Sequence, residues 1–340
     1  MKTGIYVPIP HVTVNSPVLA AATRAAQLPL PVGQTDPGFA LALDATLEAE
    51  RLGFDLALFA ERHLGPDLEA WILAAAVASH TSTIRIMPAS NPDFWHPNLL
   101  AKLAVTLDRI APGRSAINFV TGWNVDEATH FGSVRHESDD ARYARAEAFI
   151  ATMRGTWNST PGVIPIAADA AGFDSVNLPL VPADAPPPIY AVSRSDRGRE
   201  MVARSADYWF ADYGSGFARP FEDVLAMFRA SVADMRGRAA RHEREVGMCV
   251  SAFVLPAESE SAGWAHAENL RAQASASTPH LVMAQLGALS AGLVGPPDLI
   301  RDRIARFADV GVELLLCKYV PGTGALDELA DIVMPVSVAS

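Results

Sequence analysis

Residues Arg114 to Asn124 read Arg-Ser-Ala-Ile-Asn-Phe-Val-Thr-Gly-Trp-Asn. The first half is an apolar run between Pro112-Gly113 and Gly122, short enough for a fully buried strand. Its far end sets Asn118, Thr121, Trp123 and Asn124 side by side. In parallel α/β folds the ligand site lies beyond the carboxyl ends of the strands, so polar and aromatic residues there are site candidates before they are packing. The stretch is therefore expected to be the fourth strand of an α/β fold, a (β/α)8 TIM barrel.

Working outward, the same alternation recurs on both sides. Upstream, strands are expected over Gly4–Ile9, Phe54–Phe59 and Ile84–Pro88. Helices are expected over Ala40–Leu52, stopped by Gly53, and over Leu68–His80 and Pro97–Ile110. Downstream, strands are expected over Ile189–Val192, Ala206–Ala211, Val246–Leu255 and Val312–Tyr319, separated by helices over Asp196–Ser205, Phe221–His242, Ser259–Ala274 and Leu299–Val310. Arg142–Arg154 reads as an amphipathic helix. Two stretches without clear period, near 155–188 and 275–297, read as insertions. Strands alternating with helices imply right-handed crossovers, and eight such units over the whole length imply closure into one domain spanning 1–340.

With 340 residues, 50% of them hydrophobic and 19% charged, the chain can bury a large core. A net charge of -11 opposes a phosphate-backbone partner, so no nucleic acid is expected. Cys249 and Cys317 are too few and too far apart for a disulfide framework or a metal cluster, which suits a reducing compartment. The chain runs directly into a strand-like segment without the apolar core of a signal peptide, and no uncharged apolar run of about 18 residues occurs. No membrane partner and a cytoplasmic location are expected.

No phosphate loop, dinucleotide glycine fingerprint, nucleophile elbow or His-Glu-x-x-His is present. What remains sits at strand ends. Ser193-Arg194-Ser195-Asp196-Arg197-Gly198 follows a strand and opens a helix, where a hydroxyl and free backbone N–H groups suit a phosphate; an ordinary N-cap accounts for the same residues. Glu61-Arg62-His63 is a charged triple after an apolar strand, either a site or a solvated loop. His11 and His96 are proton shuttles or plain hydrogen-bonding residues. Trp95, Trp123 and Phe131 flank turn residues and could floor a planar ligand, or pack as core. Arg142-Tyr143 reads from the helix pattern alone as a surface pair.

Taken in order, several segments resemble the bacterial luciferase-like flavin monooxygenases, in the branch of alkanesulfonate, dimethylsulfone and pyrimidine monooxygenases. They are Leu52-Gly-Phe-Asp, His96-Pro-Asn-Leu-Leu-Ala-Lys-Leu-Ala, Pro112-Gly-Arg, Asn118-Phe-Val-Thr-Gly-Trp, Arg142-Tyr-Ala-Arg-Ala-Glu, Ser195-Asp-Arg-Gly, Ala206-Asp-Tyr and Leu293-Val-Gly-Pro-Pro. The resemblance implies a luciferase-like barrel holding FMN at its C-terminal mouth, the reduced form being supplied by a separate NAD(P)H:flavin reductase. It implies O2 and a small-molecule substrate, oxygenated through a flavin (hydro)peroxide, and a homodimer or homotetramer. Carried over by position, Glu61, Arg62, Asn118 and Glu127 fall on flavin-contacting positions, and Arg142, Tyr143 and Ser195 on phosphate binders, with Arg194 an added phosphate charge. His63, His96 and Trp123 are then the catalytic candidates, and His11, Trp95, Phe131 and Tyr319 the substrate pocket.

The chain also departs from that pattern. Ser193-Arg194 replaces a Gly-Gly or Gly-Gln pair, and Cys249 and Ser251 stand where alkanesulfonate enzymes carry Arg and His. The 275–297 stretch is shorter than those enzymes' lid segment. Two other readings stay open: a deazaflavin-dependent oxidoreductase on the same barrel, and a non-catalytic flavin-binding protein.

Overall fold

The computed structural model describes residues 1–9, 16–121, 125–132, 138–158, 180–214, 217–275 and 287–334. Strands β1 (Lys2–Tyr6), β2 (Leu56–Phe59), β3 (Arg85–Ser90), β4 (Ile117–Val120), β5 (Ile189–Val192), β6 (Tyr208–Phe210) and β7 (Gly247–Phe253) pair in parallel. After the short β8 (Leu255–Pro256) and β9 (Val294–Gly295), β10 (Val312–Lys318) closes an eight-stranded barrel between β7 and β1. The opening stretch supplies β4, which pairs with β3 through Asn118 and Ala89 and with β5 through Asn118 and Tyr190.

Alternation within each strand divides its side chains between two cores. Leu56, Leu58, Ala116, Tyr190, Phe210, Cys249, Leu314 and Leu316 fill the barrel interior. Ala57, Phe59, Ile117, Phe119, Trp209, Val250 and Leu315 pack outward against the helices. Gly4 lets β1 run close beside β2, because a Cβ there would lie 2.9 Å from the Leu56 carbonyl oxygen.

The helices are α1 (Pro17–Ala25), α2 (Pro37–Leu52), α3 (Ala70–Ala78), α4 (Pro97–Ile110), α5 (Val125–Phe131), α6 (Asp139–Trp157), α7 (Asp196–Ser205), α8 (Phe221–Ala240), α9 (Glu260–Ser275), α10 (Pro297–Asp309) and α11 (Ala325–Val333). Their ends follow local chemistry. Asp36 accepts the N–H groups of Gly38 and Phe39 at the start of α2, with Pro37 in the first turn, and Gly53 ends it at φ 90°. Among the described residues no helix is long and apolar enough to cross a membrane.

Several sequence expectations are corrected. β1 ends at Tyr6 rather than Ile9, because Pro8 has no N–H to continue the ladder. The first insertion cannot begin at 155, because α6 continues to Trp157. Its last turn is tied to α4 by the Trp157 indole on the Ala101 carbonyl (3.0 Å) and by Thr156 on Asn98 (2.6 Å). Residues 159–179 of that insertion, and 276–286 of the second, lie outside the described residues. The second ends in structure: a 3-10 turn, Gly287–Ala291, then β9, which pairs with β8. The single strand expected over Val246–Leu255 therefore divides at Val254. Helices α1, α5 and α11 were not anticipated.

Candidate active site

Two clusters form at the C-terminal ends of strands, one after β2 and one after β5. The first follows β2. Glu61 is almost wholly buried; one oxygen accepts the Trp95 indole N–H (2.5 Å) and the other the Asn91 backbone N–H (2.6 Å). His63 brings Nε2 to 3.5 Å from Glu61 and stacks edge-on to Phe94, with Phe131 5.4 Å away by ring centroids. Burial raises the Glu61 carboxyl above its ordinary value despite its donors, and the Glu61 contact raises the His63 imidazole. Arg62 lies 3.9 Å from Glu127. Burial lowers the Arg62 guanidinium, opposed by the Glu127 charge. Glu127 also accepts the backbone N–H groups of His63 and Leu64 at 3.3 Å, so α5 fixes the loop that carries the charged triple.

The second cluster lies at the start of α7. Ser195 caps the helix by accepting the Gly198 N–H (3.1 Å), and its hydroxyl is 3.1 Å from the Tyr143 phenol, which is 3.2 Å from Ser193 Oγ. Gly198 makes this packing possible: a Cβ would fall 1.8 Å from Ser193 Oγ and 2.7 Å from Tyr143 Cζ. Burial pushes the Tyr143 phenol up, but the hydroxyls of Ser193 and Ser195 and the Arg142 charge outweigh it, and the phenol falls below its ordinary value. Tyr143 is therefore not half of a surface pair. It is 5% exposed, with the Arg142 guanidinium 4.8 Å over its ring.

Between β4, β5, β6, β7 and β10 the barrel mouth opens into a cavity of about 190 Å³. Asn118 enters it from β4, its side-chain oxygen buried and without a hydrogen-bond partner among the described residues. Arg194, Asp212, Tyr213 and Lys318 also line it. Arg194 approaches Asp212 to 3.6 Å, and Tyr213 donates to the Ser251 carbonyl at 2.7 Å.

The structure thus brings Glu61, Arg62, His63, Trp95, Glu127 and Phe131 into one cluster, Tyr143 and Ser195 into the other, and Asn118 and Arg194 into the cavity. His96 is exposed and caps α4, its Nδ1 accepting the Asn98 N–H at 3.3 Å. Tyr319 is corrected: it packs in the apolar layer outside the barrel, and strand alternation sends its neighbour Lys318 inward. His11 and Trp123 lie outside the described residues. Sequence reasoning missed Lys318 as a site residue, and quoted Ser193 within the Ser193–Gly198 stretch without making it a candidate. The signal for Lys318 was present, since Leu314, Leu316 and Lys318 share one face and a charge ends the apolar series.

The sequence pattern of the family described as luciferase-like monooxygenase matches residues 18–314. This chain belongs to that family. It is 28% identical over 320 residues to the FMNH(2)-dependent dimethylsulfone monooxygenase of Pseudomonas fluorescens (strain Pf0-1), covering 85% of this chain and 84% of that relative. To the pyrimidine monooxygenase RutA of Allorhizobium ampelinum it is 29% identical over 231 residues, 65% of this chain and 61% of the other. Among solved structures, EDTA monooxygenase from Chelativorans sp. BNC1 superposes with a TM-score of 0.74 at 19% identity, over 99% of this chain and 93% of that one, a likeness of fold.

The donor set fits FMN. Two serine hydroxyls, a phenol and the N-terminus of a ten-residue helix, with Arg142 beside them, match a phosphate monoester. The orphaned Asn118 amide oxygen matches an N–H of a flavin ring.

Proposed function

We propose that this chain is the oxygenating component of a two-component flavin-dependent monooxygenase. It takes reduced FMN from a separate NAD(P)H:flavin reductase and transfers one oxygen atom of O2 to a small organic substrate. The reading rests on one observation: the hydroxyl groups of Tyr143, Ser193 and Ser195 gather beyond the end of β5, the strand next to β4, which carries the unsatisfied amide oxygen of Asn118. The FMNH2 dependence of the dimethylsulfone monooxygenase relative supports arrival of the flavin already reduced.

In this reading Tyr143, Ser193 and Ser195 hold the phosphate with Arg142, and Arg194 adds charge at the rim. Asn118 would meet the ring amide, and Glu61, Arg62 and Glu127 would help to hold the ring. When bound, reduced FMN supplies two electrons and the atom that captures oxygen. The protein excludes water and orients the substrate: Trp95, Phe94 and Phe131 form an aromatic wall around His63. His63 holds or releases a proton at Nε2, tuned by Glu61. We assign that role to His63 and not to His96, which is exposed and occupied in capping.

Anaerobic titration with oxidised and then reduced FMN tests the reading. Reduced FMN is expected to bind at least about tenfold more tightly, about 1.4 kcal/mol. With a reductase, NAD(P)H, FMN and a substrate, the chain is expected to lower the hydrogen peroxide formed per NAD(P)H consumed, relative to the same mixture without the chain. Binding of neither flavin form rejects the assignment.

A further inference from the structure

Among the described residues, the mouth cavity holds a positive charge with no acidic side chain paired to it. Lys318 ends β10 on the inward face, following Leu314 and Leu316, and lines the cavity below Arg194 and Asp212. Its ammonium lies 5.1 Å from the centroid of the Tyr6 ring on β1. Among the described residues it has no carboxylate in ion-pair range, and the charge acting on it is the like charge of Arg194. Asp212, the cavity's one acidic lining residue among those described, is engaged by Arg194 and by the Gly214 N–H (3.0 Å). β7, which pairs with β10, offers Cys249 and Ser251 on its inward positions and no charge.

An ammonium half-buried in a cavity without an anion carries part of the cost of desolvation, and a bound anion would offset it. Burial, reinforced by Arg194, pushes Lys318 down to about 8, the expected response to that missing partner. Leu58, Val192, Phe210 and Leu316 give the cavity an apolar side, and Asn118 and Ser251 add polar groups to its wall. The cavity is shared: Asn118, read as meeting the flavin ring, stands on its β4 side, and Lys318 on its β10 side. The surroundings are strongly acidic overall, at net -11, so a cationic cavity is a local feature and not a property of the whole surface.

We propose that the substrate is a small organic anion, with a short apolar body against Leu58, Phe210 and Leu316 and its charged group bound by Lys318 over the Tyr6 ring. This rests on the monooxygenase reading for its meaning as a substrate, but the binding itself does not require it.

Calorimetric titration of the full chain, with and without reduced FMN under anaerobic conditions, tests the proposal. The probes are butyrate, butanesulfonate and neutral butyramide. The wild type is expected to bind one of the anions at least about tenfold more tightly than butyramide. Lys318→Met is expected to lose that preference, Lys318→Arg to keep it, and both to bind reduced FMN as the wild type does. Butyrate favoured over butanesulfonate identifies a carboxylate substrate, and the reverse a sulfonate. The proposal is overturned if neither anion binds, if the preference survives in Lys318→Met, or if that variant loses FMN affinity and leaves anion binding intact. Should Lys318→Met fail to fold, Lys318→Gln replaces it. Failure of FMN to bind the wild type rejects the flavin reading, while the flavin-free titrations still judge Lys318.

Discussion

At the scale of single residues, Glu61 and His63 form a coupled pair in which burial and contact work on the same protons. His63 has its folded value raised above 6.5 by Glu61, so its stabilising contribution is complete below 6.5 and is lost as pH rises through the raised value. Glu61, raised by burial, acts in the same direction from 4.5 upward. Thermal melting of the wild type is therefore expected to weaken above pH 6.5, and His63→Gln to flatten that slope; parallel curves for the two proteins would remove the pair from the account. At the other cluster, Tyr143→Phe and Ser195→Ala each delete one hydroxyl from the proposed phosphate site. Each is expected to weaken FMN binding by about 1–3 kcal/mol, read by fluorescence titration. Unchanged affinity in both would detach the phosphate from this corner. These residue types were legible in order along the chain, but the burial of Tyr143 was not, because a tyrosine early in a helix has no sequence mark that tells surface from core.

At the scale of elements, the start of α7 depends on the absence of a side chain at Gly198. Gly198→Ala would press a methyl group into Ser193 and Tyr143. It is expected to cost about 1–3 kcal/mol in stability and to weaken FMN binding as well, because the same atoms are displaced. A variant with normal melting and normal FMN affinity would show that the cluster is looser than its distances. The entrance to β4 is held differently. Arg114 donates to the carbonyl oxygens of Ile84, Ala78 and Thr81 and to the Thr81 hydroxyl, clamping the turn between α3 and β3 against the strand that carries Asn118. Arg114→Ala is expected to lower urea stability by about 3 kcal/mol and to leave FMN affinity nearly unchanged, since it acts at the opposite end of the barrel from the mouth. The strands and most helices followed from apolar runs and Gly or Pro stops. Element ends did not, because Trp157 and Thr156 extend α6 through contacts with α4 that no local pattern announces.

At the scale of the whole molecule, closure places Cys249 in the interior and Cys317 in the outer layer, both fully buried with their thiols raised above the ordinary value by burial. Neither is expected to react with a thiol reagent in the native protein at neutral pH, and both are expected to react on unfolding in urea. Fast labelling of either in buffer would mean that the barrel opens locally near β7 or β10. Parallel pairing all the way round also brings β10 beside both β1 and β7, which sets Lys318 over Tyr6 although 312 positions separate them in sequence (318 less 6).

By itself the sequence determined the barrel, its order of strands and helices, and the strand-end residues around which a site forms. Those follow from local causes: hydrophobic period, glycine and proline stops, and polar residues at the ends of apolar runs. The tertiary structure decided which of those residues meet. Closure turned Tyr319 outward and Lys318 inward, buried Tyr143 against two serines, and set Lys318 in the cavity at the mouth. Packing between elements distant along the chain, and the alternation of side chains across a closed sheet, fix those outcomes, and neither is a property of any single segment.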